Sequence, residues 1–514
     1  MPMIGLMLEQ DFIVAQRFSL PAEPLVEKNN FRTRGRVPQL APTFEELRPR
    51  LPIPVLPQDL EWQGLYWTAW QSFWGALRSQ TSEAGEAVGQ IRQRPGPRLN
   101  MGQSALVANL AGYIPGSFSL IESLDDFYCR QHDDGFIPRG VDVTDGEETH
   151  EPYEPNSTGP NLLGWTEWRH FRLTGDKERI ASVFFPLLAY HRWCRANRTW
   201  PNGLYWTTGY ASGLINQPRV PDGRYHHQHW SWIDASAQAV LNCTMLERMA
   251  VLLEEEALAE ELSVERERLI KVINDDMWNS EVNFYQDIGP NRVFSPVKSI
   301  SSYWALLDPQ LVPKDRIPLF VQHLRDTWSF RTENVVPTLS ADSEAYNART
   351  GNGWRGAVRS SLTYMVLRGL AVADQHNLAH KLALAHLEMV NQVYETTGEL
   401  WESYLPEDLG PSEPASIDEN GVTSAAVLPI VLEQILGLAV DWPLRQVTWR
   451  RMLNTDQEYG VRNLPLGTEG SIDLLGSNGS IRVRTDAPVT LTIHAEKEIF
   501  QIAVPSGEYD LSIK

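Results

Sequence analysis

Five loop segments concentrate the polar and aromatic residues that could do chemistry. They are LNMGQSALV (99–107), the long stretch from DGFIPRG to GWTEW (134–168), GYASGLINQPR (209–219) with WSWIDASAQ (230–238), GNGWRGAVRSSLTYMVLRG (351–369) and LWESYLPED (400–408). Their carboxylates are groups able to give or take a proton at a reacting bond. The chain also holds 18 tryptophans. An indole offers a flat apolar face and a polar N–H, which suits stacking on sugar rings; it equally fills large helical cores, and composition leaves both uses open. His226, His227 and His229 in YHHQH raise a metal reading. No cysteine lies near them and no glutamate stands at HExxH spacing, so loop-packing histidines are expected, with no metal and no cofactor. Asp234, opening WIDAS, is expected to cap a helix.

The elements that must carry these loops are helical. Between about Leu60 and Leu438, helical runs fit 60–78, 117–131, 162–173, 178–195, 263–275, 362–375 and 378–395. Ala237, Leu241, Met245 and Leu252 form a stripe along one helix face, and the acidic run from Glu254 to Glu261 reads as the solvated end of that hairpin. Breakers such as LTGD (173–176) make neighbouring helices antiparallel. Consecutive hairpins with long tryptophan-rich loops predict an all-α (α/α)6 toroid, whose loops gather at one mouth and build the site. No short-period repeat points to a solenoid. Residues 1–57 are proline-rich and read as an extended arm; 58–440 form the toroid. From 441 to 514 the pattern turns to alternating apolar and polar residues with Gly, Asn, Asp and Pro punctuation, predicting five or six strands in a small β-module.

Bulk properties bound the partners. The net charge of −20 argues against nucleic acid or an anionic membrane. No 18-residue apolar run appears, and MPMIGLMLEQDF has no basic lead, so neither a membrane span nor a signal peptide is expected. Cys129, Cys194 and Cys243 have no paired spacing and read as free thiols of a reducing cytoplasm. Oligomeric state is not legible.

Taken in order, the loop segments resemble the mannosylglycerate- and glucosylglycerate-hydrolase-like glycosidases, relatives of trehalase and of processing α-glucosidases. SGLINQPR followed by WSWIDASAQAVLN is similar to that family's SGMDNxPR loop and its W-[IL]-D-x-x-x-Q helix. NSTGPNLLGWTEW, WRGAVRSSLTYMVLRGL and LWESYLPED resemble its remaining signatures, over about Trp62 to Leu438. The resemblance implies inverting hydrolysis of an α-glucoside or α-mannoside, which needs an acid and a base about 6.5–9.5 Å apart across the bond. The base falls on Glu402, with Trp401 and Tyr404 as flanking apolar walls. Asn216, Arg219, Trp354 and Arg355 stand as the family has them and are expected to touch the sugar.

Several positions depart together. The residue at the acid position is Ile215, which cannot donate a proton. The family's MWDS segment reads Met101-Gly102-Gln103-Ser104, leaving Gln103 to face the sugar; its tryptophan after RGxV is Arg359, and its GWS reads Gly421-Val422-Thr423. Two functions follow as expectations. One is a divergent inverting glycosidase with a relocated acid: Asp222 in VPDGRY first, the carboxylates of Asp142, Asp145, Glu147 and Glu148 next. The other is a non-catalytic homologue that binds a small carbohydrate or serves as a scaffold.

Overall fold

Local signals place the helices. In the computed structural model, helix Leu163–Thr174 stops at Gly175, whose left-handed φ of 79° lets its N–H return to the Phe171 carbonyl. Asp176 then starts helix Lys177–Asn197 by accepting the Arg179 N–H. A glycine stop followed one residue on by an aspartate N-cap turns the chain in two residues. The structure describes the chain except residues 1–20, 35–40, 59, 61, 80–88, 92–97, 117, 143–144, 454, 478, 496–497 and 513–514. The opening MPMIGLMLEQDF, on which the leader reading was made, and part of the proline-rich arm lie outside the described residues.

Six segments form an inner set: Met101–Leu110, Leu163–Thr174, Ile233–Leu252, the 3-10 stretch Ile300–Leu307, Ser360–Val372, and Val422–Pro429 with its π-helical continuation Ile430–Ile435. Each packs on the next, and the last packs back on the first. Gly369 shows how tight this is: a Cβ there would stand 2.8 Å from the Leu306 Cβ. Alternating with them in sequence come Trp62–Ala76, the turns from Leu120 to Tyr128, Lys177–Asn197, Glu256–Asp276, Ile317–Gln322 and His376–Thr397. Glu256–Asp276 buries only Leu262, Leu269 and Ile273, the narrow stripe of a helix with solvent on its far side.

Two boundaries differ from the sequence reading. The acidic run at 254–261 is solvated at the hairpin's end, as expected, but most of it is already helical, forming the first turns of Glu256–Asp276. The run predicted over 117–131 is a 3-10 turn, Leu120–Leu124, followed by one α-turn, Asp125–Tyr128.

The described part of the N-terminal arm is not an extended strap. It consists of short helical turns that bury Val26, Phe31 and Leu47, and then of strand Ile53–Val55, which pairs antiparallel with Tyr459–Leu466. One sheet therefore runs Ile53–Val55, Tyr459–Leu466, Gly470–Ser477, Ser480–Thr485, Gly507–Ser512, and a second runs Ile499–Val504, Val489–His494, Gln446–Arg450, Leu438–Asp441. Trp449 ties module to body: its ring meets Gly476 in the other sheet and its N–H donates to the Leu436 carbonyl at the end of the last inner segment. Cys129, Cys194 and Cys243 are free thiols, the last two buried. No helix among the described residues is long and apolar enough to cross a membrane.

Candidate active site

The inner segments share a direction. Their first residues meet in one cavity of about 440 Å³. Gly102 and Gln103, Leu162, Asp234 and Gln238, Ile300 and Trp304, Ser361 and Leu362, and Val422 and Thr423 all line it. Six segment starts thus meet around one space, and several of their first N–H groups are capped from its surroundings: Asn100 accepts that of Gln103, Asp287 that of Ile233 and Asp418 that of Thr423.

The loop GYASGLINQPR reaches this space by local design. Thr208 caps the turn Gly209–Ser212 by accepting the Ala211 N–H, and Gly213 at φ 84° reverses the chain. Asn216 then fastens the loop to the neighbouring one: its side-chain amide donates to the Asn352 carbonyl and accepts the Trp354 N–H, while its own carbonyl accepts the Arg355 side chain. Between these anchors Ser212, Leu214 and Ile215 face the cavity.

Glu402, Ile215, Gln103 and Trp354 line one cavity. Asn420 donates to the Glu402 carboxylate at 3.1 Å. Asn216, Arg219, Arg355, Trp401 and Tyr404 are not in its wall. Arg219 is 1 % exposed and lies between Asp234 and Asp287, forking onto both at 2.6–3.0 Å. Burial works to lower the Arg219 pKa, but the two carboxylates outweigh it and hold it above its ordinary range. Tyr404 is a core residue whose hydroxyl accepts the Trp401 N–H, and the Trp401 indole donates to Thr397. These side chains position loops; they do not face the space.

Asp222 is a correction. It sits exposed on the turn closed by the Gly223 N–H to the Val220 carbonyl, in left-handed backbone at φ 52°, outside the cavity wall. The acidic loop likewise sends Arg139, Gly140, Thr149 and His150 to the wall but not its carboxylates; Glu148 is bound to His132 at 2.6 Å. Two further carboxylates do line it, and both have other partners. Asp234 holds Arg219, and its Oδ1 also accepts the Ala235 N–H as its helix begins. Asp418 accepts the Thr423 N–H and both the N–H and hydroxyl of Ser424, securing the start of Val422–Pro429. Burial pushes the Asp418 carboxyl up to about 7, its hydrogen bonds work against this, and the Glu402 charge adds to it.

Sequence reasoning missed much of the remaining wall. Tyr210 and Trp304 add aromatic faces beside Trp354. Arg139 donates to the Asn156 and Tyr210 carbonyls and lies over the Tyr210 ring at 4.5 Å. Arg359 packs over Trp354 at 4.0 Å; burial lowers its pKa while Glu402 raises it. Burial likewise holds His150 down at about 4. Trp304 sits in SSYWALL, which reads as core because neighbours on both sides of it are buried. His226, His227 and His229 stack among Trp200 and Trp206, away from this cavity.

Inner helical segments whose starts gather around one polar, aromatic cavity are the arrangement of a six-hairpin glycosidase fold. The family model described as "Mannosylglycerate hydrolase MGH1-like glycoside hydrolase domain" matches residues 122–409, and the chain belongs to that family. It is 27% identical over 410 residues to an uncharacterised protein of Borreliella burgdorferi, covering 77% of this chain and 84% of the relative. It is 26% identical over 265 residues to a probable mannosyl-oligosaccharide glucosidase of Schizosaccharomyces pombe, covering 48% of this chain but 31% of that protein. Among solved structures, the GH63 mannosylglycerate hydrolase from Thermus thermophilus in complex with glucose superposes with TM-score 0.56 at 19% identity, over 71% of this chain and 99% of the other. At that identity the likeness shows the fold alone.

Proposed function

We propose that this chain binds a small carbohydrate in the mouth cavity and that acid-assisted hydrolysis is switched off there, leaving Glu402 as a base without its proton-donating partner. One observation carries the reading: Ile215 lines the same wall as Glu402, while the other two carboxylates of that wall, Asp234 and Asp418, are held by Arg219 and by the Thr423–Ser424 helix start. Hydrocarbon at 215 leaves a leaving oxygen unprotonated, and general acid catalysis typically supplies about 10²–10⁴-fold. The carbohydrate half of the reading is supported by Tyr210, Trp304 and Trp354 in one wall. It is supported too by the Thermus enzyme, which was solved with glucose. The (α/α)6 toroid is part of the same proposal, since the inner segments contact one another in a closed cycle.

The test separates binding from turnover. Glucose, mannose and their α-glycosides are titrated calorimetrically against the native chain, and hydrolysis of a methyl α-glycoside is compared with that of the matching glycosyl fluoride, whose leaving group needs no proton. Native protein is expected to bind the sugar, to hydrolyse only the fluoride, and to lose that activity in Glu402→Gln. Ile215→Asp is expected to raise methyl glycoside turnover by about 10²–10⁴-fold. No sugar binding at all removes the reading. Brisk native hydrolysis of the methyl glycoside removes the disabled-acid half.

A further inference from the structure

The inner segments also end together. Arg169 and Arg172 of Leu163–Thr174, Arg248 of Ile233–Leu252, Arg368 of Ser360–Val372 and Glu433 of Ile430–Ile435 line a second cavity of about 210 Å³, at the opposite ends of the segments that open onto the mouth. Four arginines and one carboxylate share that wall. The carboxylate is already engaged: Glu433 accepts Arg169 at 2.6 Å, Tyr113 at 2.9 Å and Tyr364 at 3.1 Å, and reaches Arg368 only at 3.6 Å. Arg172 is held from outside the wall by Asp441. Arg248 is exposed and makes no ion pair among those of the described residues.

The crowding registers in Arg172: burial lowers its pKa, Asp441 works against this, and Arg368 and Arg169 lower it further. Segment C-termini attract cations, which accounts for Arg172 in the last turn of its helix. It does not account for four arginines lining one open space.

We propose that this second cavity binds a phosphomonoester of a small polyol. Forked guanidinium donors match the paired oxygens of a phosphate, whose greater charge one carboxylate does not replace among four arginines; among the described residues Arg248 makes no ion pair and Arg368 only the long one to Glu433, so both have donors to offer. Trp165 and Trp168 in the same wall give apolar surface for the carbon face of a polyol. A space of this size is below that of drug-sized pockets and suits a small metabolite. The site is independent of the mouth and of what the mouth does.

The test is a thermal-shift and calorimetric titration of the full chain at fixed ionic strength with inorganic phosphate, glucose 6-phosphate and glucose. Both phosphates are expected to stabilise the protein and glucose not to do so through this site, with the sugar phosphate the tighter ligand. The Arg248→Gln/Arg368→Gln variant is expected to lose affinity about tenfold or more. Arg98 lines the mouth, as Glu402 does, and Arg98→Gln and Glu402→Gln are expected to leave it unchanged. Trp168→Phe is expected to weaken glucose 6-phosphate and spare inorganic phosphate. Stabilisation matched by chloride at equal ionic strength overturns the proposal, as does binding lost in Arg98→Gln but kept in the double variant. Equal affinity for inorganic phosphate and glucose 6-phosphate overturns the polyol half.

Discussion

The two ends of the inner segments carry opposite ionic arrangements. At the mouth, one buried arginine, Arg219, holds two carboxylates, Asp234 and Asp287. At the far end, one buried carboxylate, Glu433, holds Arg169 and faces Arg368. Asp234 lies in the first turn of its helix, whereas Arg172 lies in the last turn of its own. The macrodipole accounts for these two placements: a segment start carries partial positive charge and favours an acid, and a segment end carries partial negative charge and favours a base. The lesson is that a shared helix direction makes two chemically different cavities from one set of segments. The mouth sets three arginines, Arg98, Arg139 and Arg359, beside three carboxylates, Asp234, Glu402 and Asp418, with aromatic faces between them, while the far end sets four arginines beside the single carboxylate Glu433.

The sharpest way to break this comparison is Arg219→Met. It leaves Asp234 and Asp287 as buried like charges, and a loss of about 3–5 kcal/mol is expected in chemical denaturation. A loss below about 1 kcal/mol would show that the pair relaxes to solvent and that the mouth does not depend on it. Glu433→Gln is the counterpart at the far end. The amide keeps an acceptor for Tyr113 and Tyr364 but removes the charge from Arg169, so about 3 kcal/mol is expected. The two ends then answer to opposite substitutions.

Asp418 sharpens the comparison through pH. Its folded carboxyl, pushed up to about 7, lies above the ordinary aspartate value of 3.8. Between those values the folded chain holds a proton that the unfolded chain has released, so this group's contribution to stability falls as pH rises from about 4 to 7 and is level above. Asp418→Asn is expected to flatten that part of the stability–pH curve, as read by denaturation midpoints at constant ionic strength. An unchanged curve would place the titration elsewhere. Arg32 and Asp133 provide the smallest effect. This pair is at 2.6 Å but with side chains 36% and 77% exposed, and Arg32→Ala is expected to cost under about 1 kcal/mol. A larger loss would mean that surface pairing rivals the buried arrangements at the two ends.

Much of the helix layout was legible because its signals are local. LTGD marks one helix stop and the next start, and Ala237, Leu241 and Met245 are buried on one face as their spacing predicted. The strands after residue 441 were legible from alternation, and Ile481 and Val483 are buried while Arg482 and Arg484 face out. The partnership of Ile53–Val55 with that module was not, because strand pairing joins segments about four hundred residues apart with no pattern shared between them. At the site, motif order brought Glu402 and Ile215 together. It misdirected Arg219, Arg355, Trp401 and Tyr404, because residue type does not fix which way a side chain points once loops pack. Asp222 failed for a related reason: nearness in sequence to position 215 did not survive the turn at Val220–Gly223.

The sequence by itself determined where helices start and stop, that a β-module follows them, and that hydrocarbon stands where the family places its acid, since caps, periodicity and residue identity are properties of a few neighbouring positions. Only the tertiary structure decided which arginines are buried braces and which line open space, and that four of them share one cavity at the far end of the inner segments. Those facts depend on contacts between segments distant along the chain, where burial and the neighbouring charge, rather than the residue's own chemistry, set what a side chain does.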